Sequence, residues 1–418
     1  MRVPQELVYL IVDNLHDDIP SLKSCSLTAR AFVGSAQTWI FNKVEILPPK
    51  SRDDQDSPCR KFYKLLTRSP HIASLVEELQ IVLVGSETCF ARDEDGHYLE
   101  ERHGPWVMSG RTLSLVLPLL DLKRISLIEN SPSEWNESGE FSLNWNQLGR
   151  SLKSSLGAVF SSPKLEEACL RGIVVDSPAQ LLSLFSEAIS LKELLISRVH
   201  FTQGLNPTPW PESQPWHPRL QSLLVSDLDG DDLCRHLLHP RIDLGHIRSL
   251  TIATETDEWE EKLALAAISG VTQHLALFEP QTWAWFAFKP ILTSTLRSIS
   301  FFSRRLHRLI PATFEACPEN SALERIVFEG PIETFRAPRQ YKDYYLPINA
   351  KIEAAMVHLS ALKSVEIRAY TWAGVHKSHL FLEWADDVRA GLPSLVGRDL
   401  LILTEIVGAD ENLHYGWE

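Results

Sequence analysis

Cys234, Arg235, His236 and His239 form the group closest to a metal site, because the two imidazoles stand one helical turn apart and could share a helix face. They lack the HExxH spacing of zinc hydrolases and have no carboxylate placed to act as a base. The plainer reading is a helix end with a histidine beside its last carbonyls. Paired acids of the sort hydrolases use occur at Glu258, Glu260 and Glu261 around Trp259, and at Asp386 and Asp387 after Trp384. Adjacent acids point to different sides of a helix and cannot face one substrate together, so they read as surface charge. Asp229 to Asp232 around Gly230 reads as a turn entering a helix, whose N-terminus favours acids. A calcium loop would need ligands at alternate positions over about twelve residues, and these are not there. GxxxxGK[ST], GxGxxG after a strand and the GxSxG elbow do not occur. The residues predict no catalytic centre, no metal and no cofactor, and the chain reads as a protein that is not an enzyme.

Composition narrows the partners. A formal net charge of -13 argues against nucleic acid as the main ligand, since phosphate binding relies on clustered Lys and Arg. The basic cluster Arg297, Arg304, Arg305 and Arg308 is short and reads as a solvated face. No apolar run approaches the length of a membrane span, and Glu6 with no basic lead does not suit a signal peptide. A cytoplasmic or nuclear protein without a membrane partner is expected. Six cysteines are scattered without a CxxC, which suits reduced thiols in such a compartment.

What must hold any binding residues in place begins with residues 1–46. Pro4 suits the first position of a helix that runs to Leu15. Val8, Ile11, Val12 and Leu15 fall at i, i+3, i+4 and i+7, and Leu7 and Leu10 widen the stripe, so one side must be buried. Asp17, Asp18 and Pro20 stop that helix. A second, at 21–27, carries Leu22, Cys25 and Leu27, and a third follows from Thr28 with Ala31, Phe32 and Val33. Three helices in about forty residues are too few for a self-sufficient core, so the unit needs a partner, the rest of the chain, or both.

Val3-Pro4, Glu6-Leu7, Ile11, Leu15, the Leu22-Lys23-Ser24-Cys25-Ser26-Leu27 run, Arg30, Phe32 and Ile40-Phe41 resemble the F-box motif in order and spacing. Val3 stands where Leu is usual, Thr28-Ala29 where Val-Cys is usual, and Phe32 where Trp is usual; all remain compatible with a buried apolar face. The resemblance covers about a tenth of the chain. It implies a three-helix module that docks on a Skp-type adaptor protein and through it on a cullin. The adaptor-binding residues it implies are Val3, Pro4, Glu6, Leu7, Ile11, Leu15, Leu22, Leu27, Arg30 and Phe32. The alternative is an ordinary helical cap on a larger domain.

After a strand at 44–47 and a polar linker, one pattern keeps returning: an apolar or near-apolar residue, two polar residues, then an alternating apolar pair. It occurs as VEELQI (76–81), LKRISL (122–127), LEEACL (165–170), LKELLI (191–196) and LQSLLV (220–225). It continues as IRSLTI (247–252), TQHLAL (272–277), LRSISF (296–301), LERIVF (323–328) and LKSVEI (362–367), with a less regular copy at 400–406. Starts from Leu165 to Leu323 are 26, 29, 27, 25, 24 and 27 residues apart, within the leucine-rich-repeat window. Helices are predicted between strands at 61–67, 112–120, 151–160, 178–188, 233–238, 259–268, 352–359 and 380–390. The resemblance to leucine-rich-repeat proteins is degenerate, since the Asn that usually closes the strand turn is absent from nearly every unit. The expected fold is α/β: a small N-terminal three-helix F-box-like module (1–46), a linker (47–58), and a curved leucine-rich-repeat-like solenoid with a parallel sheet (59–418). A doubly wound α/β sheet is the alternative, without the glycine fingerprint such folds carry.

Four insertions rich in aromatic residues and proline, at 90–106, 135–145, 207–216 and 335–345, offer either anchors for a protein partner or rings that pin long loops down. Together these readings predict a substrate-recognition subunit of a Skp-cullin-F-box ubiquitin ligase, its solenoid binding an unknown protein substrate. A repeat scaffold without ligase association is the alternative, and an enzyme would require a deep polar pocket that no motif announces.

Overall fold

The structure, a computed structural model, describes residues 4–49, 57–84, 106–108, 111–129, 143–202, 215–228, 232–253, 272–278, 295–302, 310, 313–315, 317, 321–331, 341–372 and 378–409. The chain divides into two compact units, residues 1–195 with 199–206 and 212–218, and residues 196–198 and 207–211 with 219–418.

The first unit opens with helices α1 (Gln5–Asp13), α2 (Ile19–Thr28) and α3 (Arg30–Asn42), then strand β1 (Lys43–Ile46). Helix α4 (Pro58–Arg68) and a 3-10 turn precede β2 (Glu78–Val84), and α5 (Leu113–Val116) with a second 3-10 turn precedes β3 (Arg124–Glu129). The short β4 (Leu143–Asn144), α6 (Arg150–Phe160), β5 (Glu167–Val175), α7 (Pro178–Ser183) and β6 (Glu193–Phe201) follow. β1, β2, β3 and β5 pair in parallel in that order, and β4 pairs with β5.

In the second unit β7 (Ser222–Leu228), β8 (Ser249–Ala253), β9 (His274–Phe278), β10 (Ser298–Phe302), β11 (Arg325–Pro331), β12 (Ser364–Trp372) and β13 (Leu401–Ala409) are parallel neighbours in chain order. Helix α8 (Asp232–Leu237) lies between β7 and β8 in sequence, α9 (Tyr341–Met356) before β12, and α10 (Ser378–Gly391) with α11 (Pro393–Val396) before β13. Among the described strands neither unit reverses its order, as a doubly wound sheet does at its switch point.

The repeat and the sheet share one register. β2 and β3, β5 to β12 each begin two residues after the apolar residue that opens their repeat, and equivalent positions pair: Ser222, Ser249, His274, Ser298, Arg325 and Ser364 follow one another across the second unit. The opening residues Leu165, Leu220 and Leu323 are fully buried, as are inner pairs such as Leu79 with Ile81 and Ile326 with Phe328. Period-two alternation sends those side chains inward, and only a constant offset stacks them in one layer from strand to strand. At the strand entrances the polar positions interlock. Lys123 reaches Glu77 (2.7 Å) and Lys192 reaches Glu166 (2.6 Å), while Glu324 sits between Arg297 (2.7 Å) and Lys363 (2.5 Å).

Several element ends differ from expectation for local reasons. The first helix ends at Asp13, where the Asn14 side chain donates to the Leu10 carbonyl at 2.8 Å. The segment 112–120 breaks into α5 and a 3-10 turn, because Pro118 has no N–H to continue the helix. The helix at 178–188 stops at Ser183, and that at 352–359 begins earlier, at Tyr341, and ends at Met356. The helix at 259–268 lies outside the described residues. At the end of the helical module β1 pairs with β2 over four residues, and the Glu77 N–H donates to the Asn42 carbonyl at 3.0 Å; residues 50–56 of the expected linker lie outside the described residues. Residues 1–46 therefore share a unit with the sheet. No helix among the described residues is long and apolar enough to cross a membrane.

Candidate protein-docking face

The helical module holds a small core of its own. Val12, Leu22 and Ala36, one from each helix, are fully buried, and Leu15, Ile19, Phe32 and Ile40 pack around them. Local chemistry sets the angles between the helices. Asp18 caps α2, accepting from the Ser21 N–H (3.0 Å) and hydroxyl (2.5 Å), and those bonds hold its carboxyl below the usual range. Pro20 occupies the first turn of α2, where its missing N–H costs nothing. The Trp39 indole N–H donates to Asp13 at 3.0 Å, and its ring stands 5.4 Å from that of His16, which ties α3 to the end of α1.

After that core is satisfied, apolar surface is left over. Val8 and Val12 take the buried side of α1, yet Leu7, Leu10 and Ile11 remain 49%, 59% and 44% exposed. Their i, i+3, i+4 spacing puts them on one face of the helix. Leu27, at the end of α2, is 87% exposed, and Tyr9 and Trp39 are also uncovered. A module of three helices thus uses one apolar stripe to fold and carries a second.

The structure sorts the residues named from the sequence into two groups. Pro4, Glu6, Leu7, Ile11, Leu27 and Arg30 are exposed. Leu22 is wholly inside, and Leu15 and Phe32, partly buried, pack against the same small core, so these three also hold the helices together. Their apolar character alone could not separate the two roles. Val3 lies outside the described residues. Leu10, which the motif did not single out, is the most exposed member of the α1 stripe and was legible as part of the wide apolar arc.

The chemical candidates are not brought together. Among the described residues no group of three or more His, Cys, Asp and Glu is placed to hold a metal ion. His236 is buried, and a ring nitrogen of His239 accepts from the Arg241 N–H at 3.3 Å. Asp386 pairs with Arg389 at 2.9 Å, and Arg297 pairs with Glu324, while the acids at 258–261 and Arg304, Arg305 and Arg308 lie outside the described residues. The aromatic insertions show the second of their two readings where their rings are described. Trp106 donates to the Val82 carbonyl at 2.8 Å, and Trp145 and Trp216 are buried, Trp145 against Phe160 with centroids 6.0 Å apart. Side chains at 335–345 lie outside the described residues.

One polar group escapes a reading by motif. On β11 and β12, Arg368 binds Glu366 (2.9 Å) and Glu329 (3.3 Å), Arg325 binds Glu366 (2.5 Å), and the Thr404 hydroxyl of β13 donates to Glu366 (3.2 Å). Burial pushes the Glu366 carboxyl up, but hydrogen bonds from Arg368 and Arg325 together bring it below its ordinary value. Burial raises Glu329 above its own, against the pull of Arg368. The register could have found this network, because it places strand positions of successive repeats side by side.

No family model matches the chain, and no curated protein sequence matches it.

Proposed function

We propose that the chain is the substrate-recognition subunit of a Skp-cullin-F-box type ubiquitin ligase, with no catalytic centre of its own. In this reading the stripe Leu7, Leu10 and Ile11 with Leu27 docks on the adaptor. The single observation that carries it is the division of α1, whose Val8 and Val12 are fully buried while the neighbouring leucines and isoleucine are left to solvent. Surface that the module does not need for folding, in a segment with the order and spacing of an F-box, is surface for a second polypeptide. The finer account of the fold belongs here too: equivalent repeat positions in register and strands in chain order support a leucine-rich-repeat-like solenoid, whose face would hold the protein to be modified.

A capping role for the module has its own support, since β1 extends the sheet and α3 is joined to it at Asn42. Capping and docking use different surfaces, so both can hold. It follows that deleting residues 1–46 strips β2 of its neighbour under either reading and cannot discriminate. The discriminating experiment is Leu7→Ala with Ile11→Ala in the whole chain, followed by co-purification with a Skp-type adaptor and a thermal melt. Loss of the adaptor with an unchanged melt is the expected result. Full retention of the adaptor overturns the reading.

A further inference from the structure

The strand entrances are built differently in the two units. In the first, backbone hydrogen bonds join Glu77, Lys123, Glu166 and Lys192 from strand to strand, and their side chains alternate in sign and pair, Lys123 with Glu77 and Lys192 with Glu166. The residues that follow three of them, Glu78, Arg124 and Glu167, are linked in the same manner. The equivalent row of the second unit runs Gln221, Arg248, Gln273, Arg297, Glu324 and Lys363, joined by the same backbone bonds. Glutamine stands where the alternation calls for an acid at 221 and 273, and Ser222, Ser249, His274 and Ser298 come next. The entrances of β7 to β10 therefore carry no carboxylate at either position.

The consequence is positive charge without an internal counterion. Arg248, and Arg219 directly before the buried Leu220, are exposed and make no ion pair among the described residues. Arg297 pairs with Glu324 at 2.7 Å, but that one carboxylate also serves Lys363 at 2.5 Å. His274 is exposed between Ser249 and Ser298. The side-chain amides of Gln221 and Gln273 make no hydrogen bond among the described residues. In a chain of net charge -13, this edge is a local exception that favours an acidic ligand.

The spacing suits a peptide. Neighbouring strands stand about 4.8 Å apart, so Arg248 and Arg297, with one strand between them, enter the edge about 10 Å apart. Three residues of extended chain, at about 3.3 Å each, cover the same distance. The glutamine between the arginines offers both a donor and an acceptor, which matches a peptide group better than a phosphate. No Phe, Tyr or Trp stands at these positions to stack a base, which disfavours single-stranded nucleic acid.

We propose that the entrance edge of β7 to β10 docks an extended acidic segment of a partner protein, its carboxylates held by Arg219, Arg248 and Arg297 and its backbone by Gln221 and Gln273. This deepens the substrate-recognition reading by naming the class of segment recognised, and rests on that reading only for the partner's being the protein that is modified. Binding here is measured without any adaptor, so its failure and the failure of adaptor docking are distinguishable.

The experiment titrates the full chain against a short fluorescein-labelled peptide with glutamate at every third position and glycine and serine between, followed by anisotropy. Binding that weakens as salt is raised is expected. Arg248→Glu should raise Kd about ten-fold or more. Gln221→Glu with Gln273→Glu, which restores the alternation of the first unit and gives Arg248 partners within the chain, should do the same without lowering the melting temperature. Arg150→Glu, the same change of charge on an exposed residue of α6, should leave Kd unchanged. An unaltered chain that does not bind, or that binds the glutamine version of the peptide equally, overturns the proposal. So does an equal loss in Arg150→Glu. A single-stranded oligonucleotide of matched charge that binds as tightly, and is lost in the same variants, overturns it as well by making the edge a general anion site.

Discussion

Leu7→Ala with Ile11→Ala should weaken adaptor binding without weakening the fold, and the size of the loss can be worked from exposure. Complete burial of a leucine or isoleucine side chain contributes about 1.5 to 3 kcal/mol. Leu7 is 49% exposed and Ile11 44% exposed, so docking can gain on the order of half that figure from each. Together they contribute about 1.5 to 3 kcal/mol, a rise in Kd of about 10- to 150-fold. The fold should barely register the change, because exposed positions of this kind usually move stability by no more than about 0.5 kcal/mol each. Leu22→Ala is the opposite case. Its side chain is fully buried between Val12 and Ala36, and its truncation should cost about 2 to 5 kcal/mol by leaving a cavity. Calorimetric titration with a purified Skp-type adaptor, beside thermal denaturation of each variant, separates the two. If the double variant binds as tightly as the unaltered chain while remaining folded, the exposed stripe is not the docking face and the reasoning fails.

Glu366→Gln should lose about 1 to 3 kcal/mol at neutral pH, as expected for charge-assisted hydrogen bonds. Because the folded carboxyl lies below its ordinary value of 4.5, its contribution is present above that pH and lost as pH falls through the folded value, so wild type and variant should converge in acid. Denaturant titrations at several pH values check this, and a difference that grows in acid would contradict it. Cys59 and Cys317, whose thiols burial pushes up to about 12, should resist alkylation in the native protein and label at once in denaturant. Mass spectrometry of the modified peptides reads the outcome. Gly172→Ala should cost at least about 1 to 2 kcal/mol, because Gly172 holds φ +78° and an added Cβ would meet the side chain of Glu129. An unchanged melting temperature would show that the backbone there relaxes freely.

What could be read from the residues and what could not divide along one physical line. The strands were legible because the same demand recurs: an opening apolar residue and an alternating pair, offered again at a nearly constant interval, leave one register that buries every copy. No single copy, TQHLAL with its threonine for example, would have been convincing, yet Thr272 is 3% exposed in the position that leucine holds elsewhere. Features decided only once were not legible in this way. The apolar arc of α1 runs from Leu10 through Ile11 and Val8 to Val12, and nothing in that helix says which half turns inward. Leu22 and Ala36 on the two neighbouring helices decide it, by taking Val12 and leaving Leu10 out. Pairing belongs to backbone groups that side-chain polarity does not report, so nothing in the residues of β1 named β2 as its neighbour. The ion network around Glu366 joins three strands whose bonded partners are up to 41 positions apart, and no local pattern spans that distance. Once the repeat supplied the register, however, those positions became neighbours by arithmetic.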